Sequence, residues 1–272
     1  MTQVLPPAPV TAGTARPWRL EHDPKVQAAI DEAMATNSSG RIAVMLYGST
    51  ARGSSNRESD IDVLELVEQS PCQRSVNRVN VSQYMPKHIR SMARSGSLFV
   101  LHLKLEGKIL YDPTGTLRSC LDSYQTPVDY ESTWRTIRVA AGALDAQASD
   151  VARYRHGLGR LGIYLLRTAV YLRCIGLGVP NFDVVEAAAL VGDGKLKDVL
   201  NLRRNQEFEP HDIHAIKLEL EKLVPNCWFN RYESVASYAI ATANHREVGA
   251  LLAAVMSDAA TVEYTSLTVP AF

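Results

Sequence analysis

The sequence predicts an α+β protein, with a sheet-containing N-terminal domain followed by an all-α helical bundle domain. Two observations support this prediction. Short apolar runs of strand length alternate with turns up to about residue 115, whereas the apolar residues from Glu131 to about Ala259 recur at the helical period. A turn at Asp112–Gly115 separates the two patterns. We therefore expect a tail over residues 1–22, a sheet domain over 23–115 and a helical domain over 116–272.

The elements of the first domain follow from local patterns. Asp23 and Pro24 form a helix start, and the apolar residues Val26, Ile30 and Met34 continue it. The run Ile42–Tyr47 is apolar and short, which is typical of a buried strand. Four further segments are predicted: a strand over Val76–Tyr84, a helix over Pro86–Arg94, a strand-like or buried run over Leu98–Leu105 and a strand-like run over Lys108–Tyr111.

Composition limits the classes of protein that the chain can belong to. Of its 272 residues, 46% are hydrophobic and 21% are charged, which indicates two folded cores and argues against disorder. The 29 basic residues balance the 29 acidic ones, so no overall field draws the protein to a membrane or to long duplex nucleic acid.

The tail and the cysteines indicate a cytoplasmic protein. The tail is rich in Pro, Ala and Thr, lacks the apolar segment of a signal peptide and is predicted to be disordered. No apolar run reaches the length of a membrane span. The scattered cysteines form no close pairs of the kind found in zinc or redox motifs, so we interpret them as reduced thiols: Cys72, Cys120, Cys174 and Cys227.

The most informative motif follows the first predicted strand. Gly48 allows a tight turn, and Ser49 begins a short helix whose free N–H groups suit a phosphate oxygen. After ten intervening residues come Asp60 and Asp62, which the strand period places on one face. Paired carboxylates repel unless a cation lies between them, and Mg²⁺ prefers such ligands together with substrate phosphates. The motif therefore predicts a phosphate-binding turn beside a metal-binding strand.

These residues resemble the nucleotidyltransferase superfamily, which has the polymerase β-like fold and includes kanamycin nucleotidyltransferase and the minimal nucleotidyltransferases. Gly48-Ser49 and Asp60-x-Asp62 match its signature position by position, and Ala51–Gly53 and Ser59 are similar to its usual intervening residues. The resemblance covers roughly residues 24–115 and implies a mixed sheet, a nucleoside triphosphate donor and Mg²⁺, with two ions possible. It further implies that Arg52 lies near the phosphates, and that a helical domain faces the active site as in two-domain relatives.

The sequence departs from this family where a third carboxylate is expected on the next strand. Asn80 occupies that place, and an amide cannot act as a general base at neutral pH. Three explanations remain open. In the first, Glu65 or Glu106 replaces the missing acid. Glu65 is more simply interpreted as a solvated strand end, and Glu106 as part of a turn between two strands. Otherwise transfer is slow and depends on a nucleophilic acceptor, or the domain binds nucleotide without transferring it.

One helix of the second domain carries an unusual stripe. The segment Arg153–Arg173 is apolar around much of its circumference, yet one sector of roughly 80° carries cations and aromatic rings. We predict that Arg160, Tyr164 and Arg167 bind nucleotide, with arginine contacting phosphates and tyrosine stacking on a base. Packing against the first domain and exposure to water are the alternatives. The stripe consists of Arg153, His156, Arg160, Tyr164, Arg167 and Tyr171.

The resemblance therefore implies an ATP-binding or other nucleotide-binding transferase of the EC 2.7.7 type, which passes a nucleoside monophosphate to an acceptor and releases pyrophosphate. Asp60 and Asp62 are the predicted catalytic and metal-binding residues, and Gly48, Ser49 and Arg52 are predicted to bind the nucleotide. The acceptor is a tRNA or other RNA end, a protein or a small molecule. The alternative is a catalytically weakened nucleotide-binding or regulatory module, for which the family suggests a toxin–antitoxin or defence role.

Overall fold

The computed structural model describes residues 24–35, 40–55, 59–192, 194–204, 207–232 and 234–257. The predicted disordered tail lies outside the described residues. These residues divide into two compact units, of which the first comprises the described residues within 24–87 and 106–122 and the second comprises those within 88–105 and 123–257. The predicted assignment of residues 23–115 to a sheet domain and of residues 116–272 to a helical domain stays a prediction.

The described elements follow one another in the order of the chain. They are α1 (Pro24–Ala35), β1 (Arg41–Tyr47), α2 (Gly48–Arg52), β2 (Ile61–Val67), β3 (Gln73–Val76), β4 (Val79–Tyr84), α3 (Pro86–Arg94), α4 (Leu98–Glu106), β5 (Lys108–Tyr111), α5 (Thr116–Asp122), α6 (Glu131–Ala141), α7 (Ala148–Gly176), α8 (Val184–Val191), α9 (Gly194–Asn201), α10 (Pro210–Leu223), α11 (Val235–Ala241) and α12 (Arg246–Met256). Short 3-10 helices span Gly142–Leu144 and Leu202–Arg204.

The first unit contains a five-stranded mixed sheet in the order β3-β4-β2-β1-β5. The pair β2–β4 is parallel, and the other neighbouring strands are antiparallel. Helix α1 packs on one face of this sheet, where Ile30 and Met34 contact a core that includes Val44, Ile61 and Val63. Ile61 and Val63 are fully buried, which confirms the predicted inward face of β2. The α+β fold class is also confirmed.

A buried charge cluster lies on this same face. Glu65 is 0% exposed, and its carboxylate accepts hydrogen bonds from Arg41, Arg74 and the amide of Gln83. The two arginines also donate to the carbonyl oxygens of Met34 and Ala33, the latter over 3.2 Å, at the end of α1. The cluster thus ties α1 and β3 to the centre of the sheet. The interpretation of Glu65 as a solvated strand end is wrong, because these cations and the amide compensate its burial.

Replacing Glu65 with alanine is expected to destabilise the first unit by about 3–5 kcal/mol, because two largely buried guanidinium groups lose their counter-charge. Chemical denaturation measures this change. Glu68→Ala is the control, since Glu68 lies just beyond β2 and is exposed, and we expect a change within about 0.5 kcal/mol. Equal stabilities for the two variants would contradict the role given to the cluster.

Two strand predictions require correction. Residues 98–105 form most of the helix α4, which begins after Ser97, whose hydroxyl accepts a hydrogen bond from the Phe99 N–H at 3.2 Å. This helix-capping contact favours a helix over the predicted strand. The segment predicted as a single strand over residues 76–84 instead contains the last residue of β3, a turn and β4, and the two strands pair as a hairpin. Asn77 adopts a φ of 54° at its turn, a conformation that asparagine tolerates better than most residues.

The second unit is helical and is built around α7. Helices α6, α8, α10 and α12 pack against α7, whose middle section is almost entirely buried in the core of this unit. The helical character predicted from Glu131 onward is therefore confirmed within the described residues. No helix in the described ranges is both long enough and apolar enough to traverse a lipid bilayer.

Candidate functional site

At the turn after β1, the backbone of Gly48 lies close to the carboxylate of Asp62. Gly48 adopts a φ of 72°, a left-handed conformation that L side chains rarely adopt. A Cβ atom at this position would lie 2.5 Å from Oδ2 of Asp62. The turn and the end of the neighbouring strand can therefore approach this closely only because residue 48 has no side chain.

The short helix α2 holds the turn in relation to the second strand. It begins at Gly48 and ends at Arg52, with Gly53 in the left-handed conformation as its cap. The hydroxyl of Thr50 donates a hydrogen bond of 3.3 Å to the carbonyl oxygen of Asp60. The predicted turn and short helix are thus confirmed, and Thr50 links them directly to the start of β2, a contact that strand and helix periods do not reveal.

Asp60 immediately precedes β2, and Asp62 is the second residue of that strand. Tyr47, at the end of β1, pairs with Asp62 across the antiparallel ladder, so the turn and the carboxylates lie at one end of the sheet. Asp60 is exposed and Asp62 is half-buried. Hard carboxylate oxygens at this position fit a divalent cation such as Mg²⁺. Within the described ranges, no cluster of three His, Cys, Asp or Glu forms a further metal-binding candidate.

Asn80 lies beside Asp62. The two residues pair directly in the parallel register of β2 and β4, so they share a face of the sheet. Ser75 pairs with Asn80 from β3 and donates a hydroxyl hydrogen bond of 2.8 Å to the side-chain oxygen of Asn80. Because its oxygen accepts this bond, the side-chain N–H₂ group of Asn80 is the part that can donate to a ligand. The sequence alone did not identify Ser75.

The two glutamates considered as replacement acids are both engaged elsewhere. Glu65 lies on the α1 face of β2, opposite the face of Asp62, and is held by the buried charge cluster. The alternative in which Glu65 replaces the missing catalytic acid is therefore wrong. Glu106 is the last residue of α4, where a turn between strands was predicted, and its carboxylate accepts a 2.6 Å hydrogen bond from Arg52. This ion pair anchors the C-terminal end of α2, and the assignment of Arg52 to phosphate binding stays a prediction.

The stripe of helix α7 is partly buried. Tyr164 and Tyr171 are 5% and 3% exposed and belong to the core of the helical unit, whereas Arg160 and Arg167 are half-buried. Burial raises the pKa of the Tyr164 phenol, so its hydroxyl remains protonated at neutral pH. The assignment of Arg160, Tyr164 and Arg167 to nucleotide binding stays a prediction, and the two arginines are its more accessible members.

A comparison with known proteins finds a family match that lies mostly in the first unit. Residues 29–90 match the family model of the nucleotidyltransferase domain, and this range contains the turn, both aspartates and Asn80. The family resemblance of the motif is thereby confirmed. A solved structure, a nucleotidyltransferase-like protein from Exiguobacterium sibiricum 255-15, is 14% identical over 83% of this chain and 78% of that chain, with a TM-score of 0.28. None of the curated proteins matches the sequence.

Proposed function

We propose that this chain, which contains a nucleotidyltransferase domain over residues 29–90, is a Mg²⁺-dependent enzyme that transfers a nucleoside monophosphate from a triphosphate to an acceptor. The close approach of Gly48 to the Asp62 carboxylate is the observation that carries the proposal. It supports a site in which the triphosphate contacts the backbone N–H groups of α2 and the adjacent carboxylates hold the cation that binds the same phosphates. We also expect a cytosolic location and a role in a toxin–antitoxin or defence system.

Asp60 and Asp62 would hold the divalent ion, which supplies positive charge to the triphosphate when it is bound. The N–H groups at the start of α2 and the hydroxyl of Ser49 would orient the phosphate oxygens. The acceptor oxygen would then attack the α-phosphorus and release its proton to water, and the bond from this phosphorus to the oxygen that bridges it to the β-phosphate would break. Pyrophosphate would leave with the electron pair of that bond. The protein contributes mainly positioning and charge.

A transfer assay tests this proposal. The protein is incubated with each of the four α-³²P-labelled triphosphates, Mg²⁺ and one acceptor class at a time: total tRNA, an aminoglycoside or protein from a cell extract. We expect label from one triphosphate to enter one acceptor class and to be absent when EDTA is added. Absence of transfer to every acceptor class, despite Mg²⁺-dependent triphosphate binding, would overturn the enzymatic proposal.

Asn80 motivates a second candidate function, a nucleotide-binding or regulatory module with weak catalysis. This residue pairs with Asp62 where a third acid is expected, and its side-chain oxygen already accepts a hydrogen bond from Ser75. An amide in this position cannot take the proton of an acceptor hydroxyl. Binding without rapid turnover is therefore the behaviour that favours this candidate.

The Asn80→Asp variant distinguishes the two functions. If the missing acid limits the reaction, the carboxylate should increase transfer by about 10²-fold, which is the usual contribution of a general base. Turnover under saturating triphosphate measures this increase. Asn226→Asp provides the same chemical change at an exposed loop position after α10 and should leave turnover unchanged. Unchanged or lower turnover in Asn80→Asp would show that the wild-type site does not lack a base.

A further inference from the structure

A row of side chains crosses the sheet at the end that carries the aspartates. Directly paired residues project from the same face of a sheet, so the members of this row share one face. In the order of the strands β1, β2, β4 and β3 they are Tyr47, Asp62, Asn80 and Ser75. Gly48 and α2 follow directly after Tyr47. Asp62 therefore lies between the glycine turn on one side and Asn80 with Ser75 on the other.

The two sides of Asp62 serve different parts of the proposed reaction. The N–H groups of α2, on the β1 side, are assigned to the triphosphate. Asn80 lies two strands away from β1, which corresponds to about 10 Å at the usual spacing of strands. In an in-line displacement the acceptor approaches the phosphorus from the side opposite the leaving pyrophosphate. The β4 side of Asp62 is thus the side from which the acceptor would reach the α-phosphorus.

Asn80 presents a hydrogen-bond donor on this side. Its Oδ1 accepts a bond of 2.8 Å from the hydroxyl of Ser75, so its N–H₂ group is the end that can bind a ligand. Asn80 is half-buried and Ser75 is exposed, so a ligand can reach the pair from solvent. An N–H donor binds a charged oxygen about twice as strongly as a neutral one. The amide of Asn80 therefore favours an acceptor whose oxygen is ionised.

The charge of the site favours the same kind of acceptor. A third carboxylate beside Asp62 would repel an ionised acceptor, whereas the neutral amide of Asn80 does not. A hydroxyl acceptor must lose its proton during the attack, and an amide cannot take that proton. An oxygen that is already ionised has no proton to lose. Phosphate monoesters and carboxylates both carry such an oxygen at neutral pH.

We infer that the acceptor is an ionised oxygen of a phosphate monoester or a carboxylate, and that Asn80 binds it. Ser75 is the positioning residue that orients the amide. The inference rests on the proposed function and narrows its acceptor class. The ionised oxygen would attack the α-phosphorus, and pyrophosphate would leave with the electron pair of the broken phosphorus–oxygen bond. No proton is transferred, and the product is a phosphoanhydride or an acyl phosphate.

The first test identifies the acceptor group in a transfer assay with cell extract and α-³²P-labelled triphosphate. Treatment of the extract with alkaline phosphatase, which is removed before the assay, should lower labelling at least about tenfold if the acceptor is a phosphate monoester. Neutral hydroxylamine should release the label from the product if the acceptor is a carboxylate. A product that forms in phosphatase-treated extract and resists hydroxylamine would overturn the inference.

The second test measures anion binding without transfer. Isothermal titration determines the affinity for inorganic phosphate and for acetate, in the presence of Mg²⁺ and the α,β-methylene analogue of each triphosphate, which cannot release pyrophosphate. Asn80→Asp should bind the preferred anion at least about tenfold more weakly, because its carboxylate repels the anion and lacks the N–H₂ donors. Ser75→Ala should bind it about threefold more weakly, since the amide loses its orientation.

Two variants serve as controls, and both should bind the anion like the wild type. Ser75→Thr retains the hydroxyl on β3, and Asn226→Asp makes the same chemical change at an exposed loop position. Absence of anion binding, or equal affinities of the wild type and Asn80→Asp, would overturn the inference. Absence of transfer to every acceptor contradicts the proposed function itself, whereas a hydroxyl-linked product contradicts the inference alone.

Discussion

Replacing Asp62 with asparagine is expected to decrease nucleotidyl transfer by at least about 10³-fold, because the change removes one of the charges that would hold the divalent ion. The shape of the side chain is preserved and Asp62 is only half-buried, so the fold should be retained. Initial rates of transfer measure the effect, and the melting temperature verifies folding. The variant should also require a higher Mg²⁺ concentration for triphosphate binding.

Glu68→Gln is the matched control for this prediction. Glu68 lies directly after β2, is exposed and undergoes the same loss of charge. We expect transfer by this variant to equal that of the wild type. Activity of Asp62→Asn within a few-fold of wild type would remove Asp62 from the metal-binding site.

Gly48→Ala is expected to have the second largest effect. The added methyl group would lie 2.5 Å from the carboxylate of Asp62, so this short side chain must rotate away from its position. A displacement of about 1 Å can lower the rate of an enzyme by about 10²-fold, and we expect a decrease of this size or more. Alanine at a φ of 72° should additionally destabilise the fold by about 1–2 kcal/mol. Rate measurements and chemical denaturation separate the two effects.

Gly53→Ala separates strain from the clash with Asp62. Gly53 has a φ of 80°, so alanine is strained there as well, but a Cβ atom at this position meets nothing within 4 Å. This variant should lose similar stability and retain most of its transfer activity. Equal losses of activity in Gly48→Ala and Gly53→Ala would mean that backbone strain, and not the displaced carboxylate, explains the effect.

The first strand, the glycine turn and the paired aspartates could be predicted from sequence because each depends on local rules. An apolar run, a residue without a side chain and a period of two specify these features within about twenty residues of chain. The environment of Glu65 depends instead on Arg41, Arg74 and Gln83, which only the sheet register brings together. No local pattern distinguishes such a buried carboxylate from an exposed one.

Two other differences have a similar origin. The run Leu98–Leu105 is too apolar for its period to distinguish a helix from a strand. The structure shows that Ser97 caps a helix here, and this serine before the run is the sequence signal that favours a helix. Asn80 was identified from its place on the next predicted strand, where the resembled family has a third acid. Its partner Ser75 required the β3–β4 hairpin, which the sequence had not predicted. Sequence reasoning therefore identified the residues of the site better than it identified their contacts.

Isothermal titration of the protein with each nucleoside triphosphate, with Mg²⁺ and with EDTA, tests the triphosphate and metal site most directly. It applies whether the domain transfers the nucleotide or only binds it. We expect the wild type to bind a triphosphate only when Mg²⁺ is present, and Asp60→Asn/Asp62→Asn to lose this binding while it remains folded. Equal binding by the two proteins, or binding by the wild type that is unaffected by EDTA, would contradict the assignment of this site.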